Sequence, residues 1–232
     1  MKLATLKELN AERAARRPAI VVTDTATGEQ RLVKARDFAA DPLRVELSRQ
    51  LRMGKSGTIE ANDRKLFLNV YAPTARMVIV GAVHISQALA PLARSLDYDV
   101  TVVDPRTAFA SPERFPDVPL IAEWPDVALP PLNIDHYTAF VALTHDPKID
   151  DPALLHAFER DCFYIGALGS RKTHAKRAER LKAQGAKDGD NERIHAPIGL
   201  SIGAVSPSEI AVAIMAEITA QLRLPREKEA AA

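Results

Sequence analysis

Val78-Ile79-Val80-Gly81-Ala82-Val83-His84-Ile85-Ser86 is where the rhythm of this chain changes. The run Val78-Ile79-Val80 is apolar without alternation, as in a strand buried on both faces, and Gly81 breaks it before a helical pattern. From Met77 onward strand and helix patterns take turns, which predicts an α/β fold, a doubly wound parallel sheet with helices on both faces. A helix over residues 85–96 follows, with Pro91 inside it to kink it or cost stability. Further strands are expected at 100–104, 118–122, 137–144 and 162–168, and a helix at 152–161. A last helix opens at Ser206-Pro207-Ser208-Glu209, a capping box with proline at the first helical position. Its apolar face runs through Ile210, Ile214, Ile218 and Leu222, with Pro225 ending it and residues 226–232 a frayed tail.

Upstream the pattern differs. Leu6, Leu9 and Arg13 mark an amphipathic helix over 5–17 that Pro18 ends. Ala19 to Thr23 and Gln30 to Lys34 read as two strands about the turn Thr25-Ala26-Thr27-Gly28, Leu43, Leu47 and Leu51 as a short helix closed by Gly54, and 56–61 with 65–71 as a hairpin about Asn62-Asp63. Ala72-Pro73 is the expected boundary, giving a small α+β module over 1–72 and the larger domain over 73–232.

Composition sets the limits. The 232 residues are 47% hydrophobic and carry 31 basic against 30 acidic side chains, which fits neither a disordered chain nor a polyanion binder. Aromatic residues make up 5%, too few for a base-stacking surface, so no nucleic-acid partner is expected. Cys162, the one cysteine, cannot form an intrachain disulfide and is compatible with a reducing compartment. The first residues lack the apolar stretch of a secretory signal, and no run of 18 apolar residues exists. The expectation is a soluble, cytoplasmic protein.

Ligands of doubly wound sheets sit beyond the carboxyl ends of the strands, at the switch in strand order. Here those ends carry Gly81, Asp104, Thr144-His145-Asp146 and Gly169-Ser170. Asp104 falls 23 residues after Gly81, where a dinucleotide fold uses an acid to grip ribose hydroxyls. Val83 and Ser86, however, stand where the phosphate fingerprint wants glycine, so nicotinamide dinucleotide is doubtful. At Ile165-Gly166-Ala167-Leu168-Gly169-Ser170-Arg171-Lys172 a strand breaks at glycine and opens a helix with two cations, a junction suited to an anion, most simply a phosphate. The competing reading is an ordinary turn with solvated bases. Ala175, Ala178 and Leu181 form the apolar stripe of that helix, and Lys176, Arg177, Arg180 and Lys182 read as its solvated face or as a dock for an acidic partner.

His145 is a candidate for ligand contact or proton transfer with Asp146 beside it, against the alternative that Asp146 only caps the turn before Pro147. His84 opens a helix at the same crevice and reads equally as a ligand contact or a solvated residue. Residues 195–203, with His195, Gly199 and Gly203, form a glycine-bearing loop feeding the capped helix and able to lay amides on a ligand. His136, His156 and His174 lack companions at metal-ligand spacing, and Cys162 reads as a small buried hydrophobe before a nucleophile. HExxH, CxxC, GxSxG and Walker signatures are absent from the sequence, and no catalytic set is assigned.

In that order, Val80-Gly81 with His84, Val102-Val103-Asp104 with Arg106, Phe115-Pro116, Thr144-His145-Asp146, Tyr164-Ile165-Gly166 through Lys172, and Ile194 through Gly199 resemble the Rossmann domain of the XdhC/CoxI family. The resemblance covers 77–222, with the N-terminal module similar to a shortened form of that family's first domain. It implies a Rossmann-like fold and an accessory factor, rather than an enzyme, that binds and protects molybdenum cofactor. The matured cofactor would be delivered to the large subunit of a molybdenum hydroxylase such as xanthine dehydrogenase or aerobic carbon monoxide dehydrogenase. A cysteine desulfurase supplying the terminal sulfur is the implied second partner; a homodimer is one assembly the sequence leaves open.

The resemblance places cofactor at Gly81, His84, Asp104, Thr144, His145, Asp146, Gly169, Ser170, Arg171, Lys172, His195 and Gly199. The chain departs from longer members in lacking a Gly-Gly-Gly-Cys type segment in the N-terminal module. Altered binding, loss of binding and dependence on a second subunit therefore all stay open. An oxidoreductase using NAD(P) through Gly81 and Asp104, and a regulatory scaffold without ligand, are the alternatives.

Overall fold

The computed structural model describes Met1 to Leu224; Pro225 and the tail to Ala232 lie outside the described residues. The chain divides into two compact units, Met1–Pro73 joined by Arg223, and Thr74–Leu222.

In the first unit α1 (Leu3–Ala14) precedes an antiparallel sheet of β1 (Ala19–Asp24), β2 (Gln30–Lys34), β3 (Gly57–Ala61) and β4 (Arg64–Tyr71), in the order β2-β1-β4-β3. Alternation along β1 splits its side chains between two cores. Ile20 and Val22 face Phe38 and Leu47, from a 3-10 turn (Ala35–Ala40) and α2 (Arg44–Met53), whereas Ala19 and Val21 face Leu9 of α1. Helix α1 ends at Ala14, short of the expected residue 17, and Leu6 is exposed while Glu12 is buried. Glu12 accepts from Arg17 and Arg36 and lies beside Lys34.

The second unit contains β5 (Arg76–Val80), α3 (His84–Ser95), β6 (Asp99–Val103), β7 (Leu120–Ile121), α4 (Pro125–Ala128), β8 (Thr138–Ala142), α5 (Pro147–Glu159), β9 (Tyr164–Ala167), α6 (Arg171–Ala183), β10 (Ile194–His195) and α7 (Pro207–Arg223). All its strand pairings are parallel, in the order β10-β9-β8-β5-β6-β7. The continuous apolar runs follow from burial on both faces. Met77 and Ile79 pack with Leu89 of α3 and Ile214 of α7, whereas Val78 and Val80 pack with Leu154 of α5 and Leu181 of α6. After β7 the chain crosses back to pair β8 with the free side of β5, so strand order reverses between β5 and β8.

Three expectations are corrected. Helix α5 starts at Pro147, not at 152, because Asp146 caps it by accepting from the Lys148 amide and Pro147 fits the first turn. Pro152 falls inside it. His195, expected to open a loop, instead forms an edge strand with Ile194, paired with Ile165 and Gly166. On α6 the buried residues are Arg177 and Leu181, while Ala175 is exposed, so the expected apolar stripe is out of phase. The capping box stands: Glu209 accepts from the amides of Val205 and Ser206, and Ser206 accepts from that of Glu209. Among the described residues no helix is long and apolar enough to cross a membrane.

Candidate functional site

The switch in strand order brings the loops after β5, β6, β8 and β9 to one edge. Gly81 takes φ +115°, and a Cβ there would lie 2.8 Å from Thr144 Cγ2 and 3.2 Å from the Thr144 amide nitrogen. The chain needs glycine at this position because the β5 turn presses on the end of β8. Gly81 and Thr144 therefore pack closely against each other at the sheet's edge.

The first turn is bolted from three sides. Ser86 Oγ donates to the Gly81 carbonyl, Arg114 donates to the Ala82 carbonyl at 2.9 Å, and the Ala82 amide donates to Asp104 Oδ2 at 2.7 Å. Asp104 also takes the Arg106 amide, Nε and Nη2 at 2.9, 2.9 and 2.7 Å. Burial alone would raise the Asp104 carboxyl, but these donors outweigh it and hold the carboxyl below its ordinary value. Asp104, expected at the ligand edge, is fully buried, and its oxygens brace the turn. Arg106 is part-exposed, packed over the Phe109 ring at 4.4 Å, and feels the charges of Asp146 and Asp150. His84 stands exposed at the start of α3, whose cap position, Val83, offers no side-chain acceptor.

The β8 and β9 loops form the second part. Asp150, buried in the first turn of α5, accepts from Thr144 Oγ1 at 2.7 Å and from the His145 amide at 3.0 Å. These bonds hold exposed His145 at φ +62°, a left-handed conformation that a non-glycine residue adopts at a cost of about 1–2 kcal/mol. Burial outweighs its donors and raises the Asp150 carboxyl. Next door Gly169 takes φ +135° and Ser170 caps α6 by accepting from the Thr173 amide. Arg171 and Lys172 are exposed, and their side chains have no hydrogen-bond or ion-pair partner among the described residues. Arg177 and Arg180, expected on a solvated face, behave otherwise. Arg177 is buried against the Leu168 carbonyl, and Arg180 makes a two-bond pair with buried Asp151.

His195 and Gly199 are spent inside the protein. His195 Nδ1 lies 3.1 Å from Glu217 Oε1, and its ring stacks on Tyr164 at 4.6 Å. Glu217 Oε2 takes the Tyr164 hydroxyl at 2.6 Å and the Gly199 amide at 2.8 Å. Gly199 takes φ +88°, and a Cβ there would lie 3.0 Å from the α7 backbone at Ala213 and Ile214, so a side chain would be strained and crowded. Both candidate ligand contacts are thus placed in this junction with Glu217. Burial pushes the Cys162 thiol up to about 12, so it packs as an apolar residue. Sequence reasoning missed Asp150, Arg177 and Glu217. Each had a signal: Asp150 follows the cap Asp146 by one turn, and Arg177 and Glu217 lie in phase with the apolar Leu181 and Ile214.

With this geometry in place, the comparison with known proteins is specific. The model of the XdhC Rossmann domain matches residues 77–218. The chain belongs to the XdhC family. One relative is a probable xanthine dehydrogenase subunit of Bacillus subtilis, 33% identical over 66% of this chain and 44% of that protein. Another is the molybdenum cofactor insertion chaperone PaoD of Escherichia coli, 31% identical over 68% of this chain and 43% of that protein. The chain thus spans less than half the length of the curated relatives it matches. A crystal structure of a xanthine dehydrogenase from Bacillus halodurans superposes with a TM-score of 0.65 at 26% identity, covering 96% of this chain and 65% of that one.

Proposed function

We propose that this chain is an accessory factor that holds molybdenum cofactor at the carboxyl edge of the parallel sheet and passes it to a molybdenum hydroxylase. The observation that carries the reading is the β9–α6 junction. There a 13-residue helix opens beside Gly169 with Arg171 and Lys172 exposed and unpaired among the described residues, on the same sheet edge as His145. The phosphate of the pterin is a group such a helix end favours. Gly169, Ser170, Arg171 and Lys172 would hold it, while His145 and Asp146 meet the pterin. The names of the relatives support the same role, PaoD as an insertion chaperone and the B. subtilis protein as a dehydrogenase component. The receiving partner is the hydroxylase large subunit, and a cysteine desulfurase adds the terminal sulfur before transfer.

The reading as a nicotinamide-dependent oxidoreductase is weakened by Asp104, whose carboxylate is already bound by Arg106 and Ala82. Titration of purified protein with the cofactor, before and after Arg171→Ala with Lys172→Ala, tests the proposal. A clear loss of affinity is expected, and unchanged affinity removes the phosphate site.

A further inference from the structure

Helix α6 keeps one of its charges where solvent does not reach. Arg177 is 2% exposed, and Nη2 donates to the Leu168 carbonyl at 2.7 Å. Its Nε and Nη1 are buried without a hydrogen-bond partner among the described residues. The facing carboxylate, Asp150, stands 4.0 Å from Nη2, and its oxygens serve Thr144 and His145. A buried guanidinium so loosely matched is costly unless its charge is used. Its position says where. Nη2 lies 3.8 Å from where a Cβ on Gly169 would stand, directly under the turn that opens α6.

Donation to the Leu168 carbonyl also polarises the Leu168–Gly169 peptide and strengthens Gly169 N–H as a donor. Above this, the amides of the first helical turn have no intrahelical acceptors, and Ser170 Oγ serves only that of Thr173. His174 Nδ1, one turn before Arg177, is likewise buried without a partner among the described residues.

We infer that the β9–α6 junction is a phosphate receptor whose selectivity for negative charge is set from beneath by Arg177 and tempered by Asp150, while Arg171 and Lys172 add only screened, longer-range attraction. This rests on the reading of the junction as the phosphate end of the cargo site and names the residue that makes it one. Arg177 acts here as a positioning and electrostatic residue, through the peptide it holds. The two kinds of cation differ in one measurable way: salt screens the exposed pair and hardly reaches the buried one.

The test is titration with inorganic phosphate, followed by the amide NMR shifts of Gly169 and Ser170, at about 50 and about 300 mM sodium chloride. Arg177→Met is expected to weaken binding about tenfold at both salt concentrations. Arg171→Ala with Lys172→Ala should weaken it at low salt and have little effect at high salt. Asp150→Asn, which removes the opposing charge and keeps an acceptor, should tighten binding severalfold. That sign is one a damaged fold does not produce, so this variant decides the matter if Arg177→Met does not fold. Wild-type affinity in Arg177→Met, or unchanged or weaker binding in Asp150→Asn, overturns the inference and leaves the cargo reading standing. No shift at Gly169 or Ser170 in the wild-type protein overturns both.

Discussion

Replacing Glu217 by alanine measures how firmly the last strand and the last helix are joined. The carboxylate takes the Tyr164 hydroxyl at 2.6 Å, the Gly199 amide at 2.8 Å and the His195 ring at 3.1 Å. Tyr164 is 1% exposed, so its hydroxyl loses its partner without reaching water. An orphaned buried donor costs about 1–3 kcal/mol, and the Gly199 amide is in a similar position. The His195 side chain, 27% exposed, is largely rehydrated and adds little. The sum is about 2–5 kcal/mol, a large share of the roughly 5–15 kcal/mol that holds a domain folded. At about 2–4 °C per kcal/mol this lowers the midpoint by on the order of 10 °C.

Adding Tyr164→Phe removes the stranded hydroxyl, so the double variant should be more stable than the sum of the singles by about 1 kcal/mol. Urea unfolding of all four proteins, followed by circular dichroism, supplies the cycle. A loss below about 1 kcal/mol in Glu217→Ala, with strict additivity, refutes the account. Acid adds a second check. Burial alone would raise the Glu217 carboxyl, but His195, Tyr164 and Gly199 outweigh it and lower it from 4.5. Its contribution is therefore full above that value and fades as pH falls through the lowered one, a loss that Glu217→Ala should not show.

Gly166→Ala should lower the thermal midpoint, by about 1–3 kcal/mol in stability, because the added methyl would lie 2.5 Å from Ile198 Cδ1 and 2.8 Å from Tyr164 Cε1. Asp104→Asn strips Arg106 of its charged partner and should cost about 2–4 kcal/mol by urea unfolding. His145→Gly should leave stability unchanged or slightly higher, since glycine accepts φ +62° without strain, yet reduce retention of molybdenum cofactor in a gel-filtration assay. Ser206→Ala should cost about 1 kcal/mol, read by thermal melts, through loss of the α7 cap.

The architecture was legible because burial on both faces leaves a plain trace: Val78-Ile79-Val80 needs no partner in sequence to declare itself. The cap at Ser206 was equally local. Ile194-His195 was not, because a two-residue strand exists only by pairing with Ile165 and Gly166 across the fold. The start of α5 was missed because Pro152 looked like a beginning, while the physical start was the Asp146 cap. Of the candidate residues, sequence placed His145, Arg171 and Lys172 at the strand ends, and the structure leaves all three exposed. Sequence overlooked the charges beneath them, since polarity in a helix suggests solvent until the helical phase is checked. Arg177 and Glu217 both lie on apolar faces.

The bracing of the β5 turn decides which guests the neighbouring strand end can greet. A carboxylate has about four lone-pair sites, and Asp104 has four donors upon it. A sugar bringing hydroxyl hydrogens finds none of them vacant and would first have to prise away a guanidinium. The guanidinium that fills the acid is itself part-exposed, with the Arg106 side chain 32% open to solvent. By filling its own acid, the fold leaves this turn no free carboxylate oxygen with which to meet a hydroxyl hydrogen.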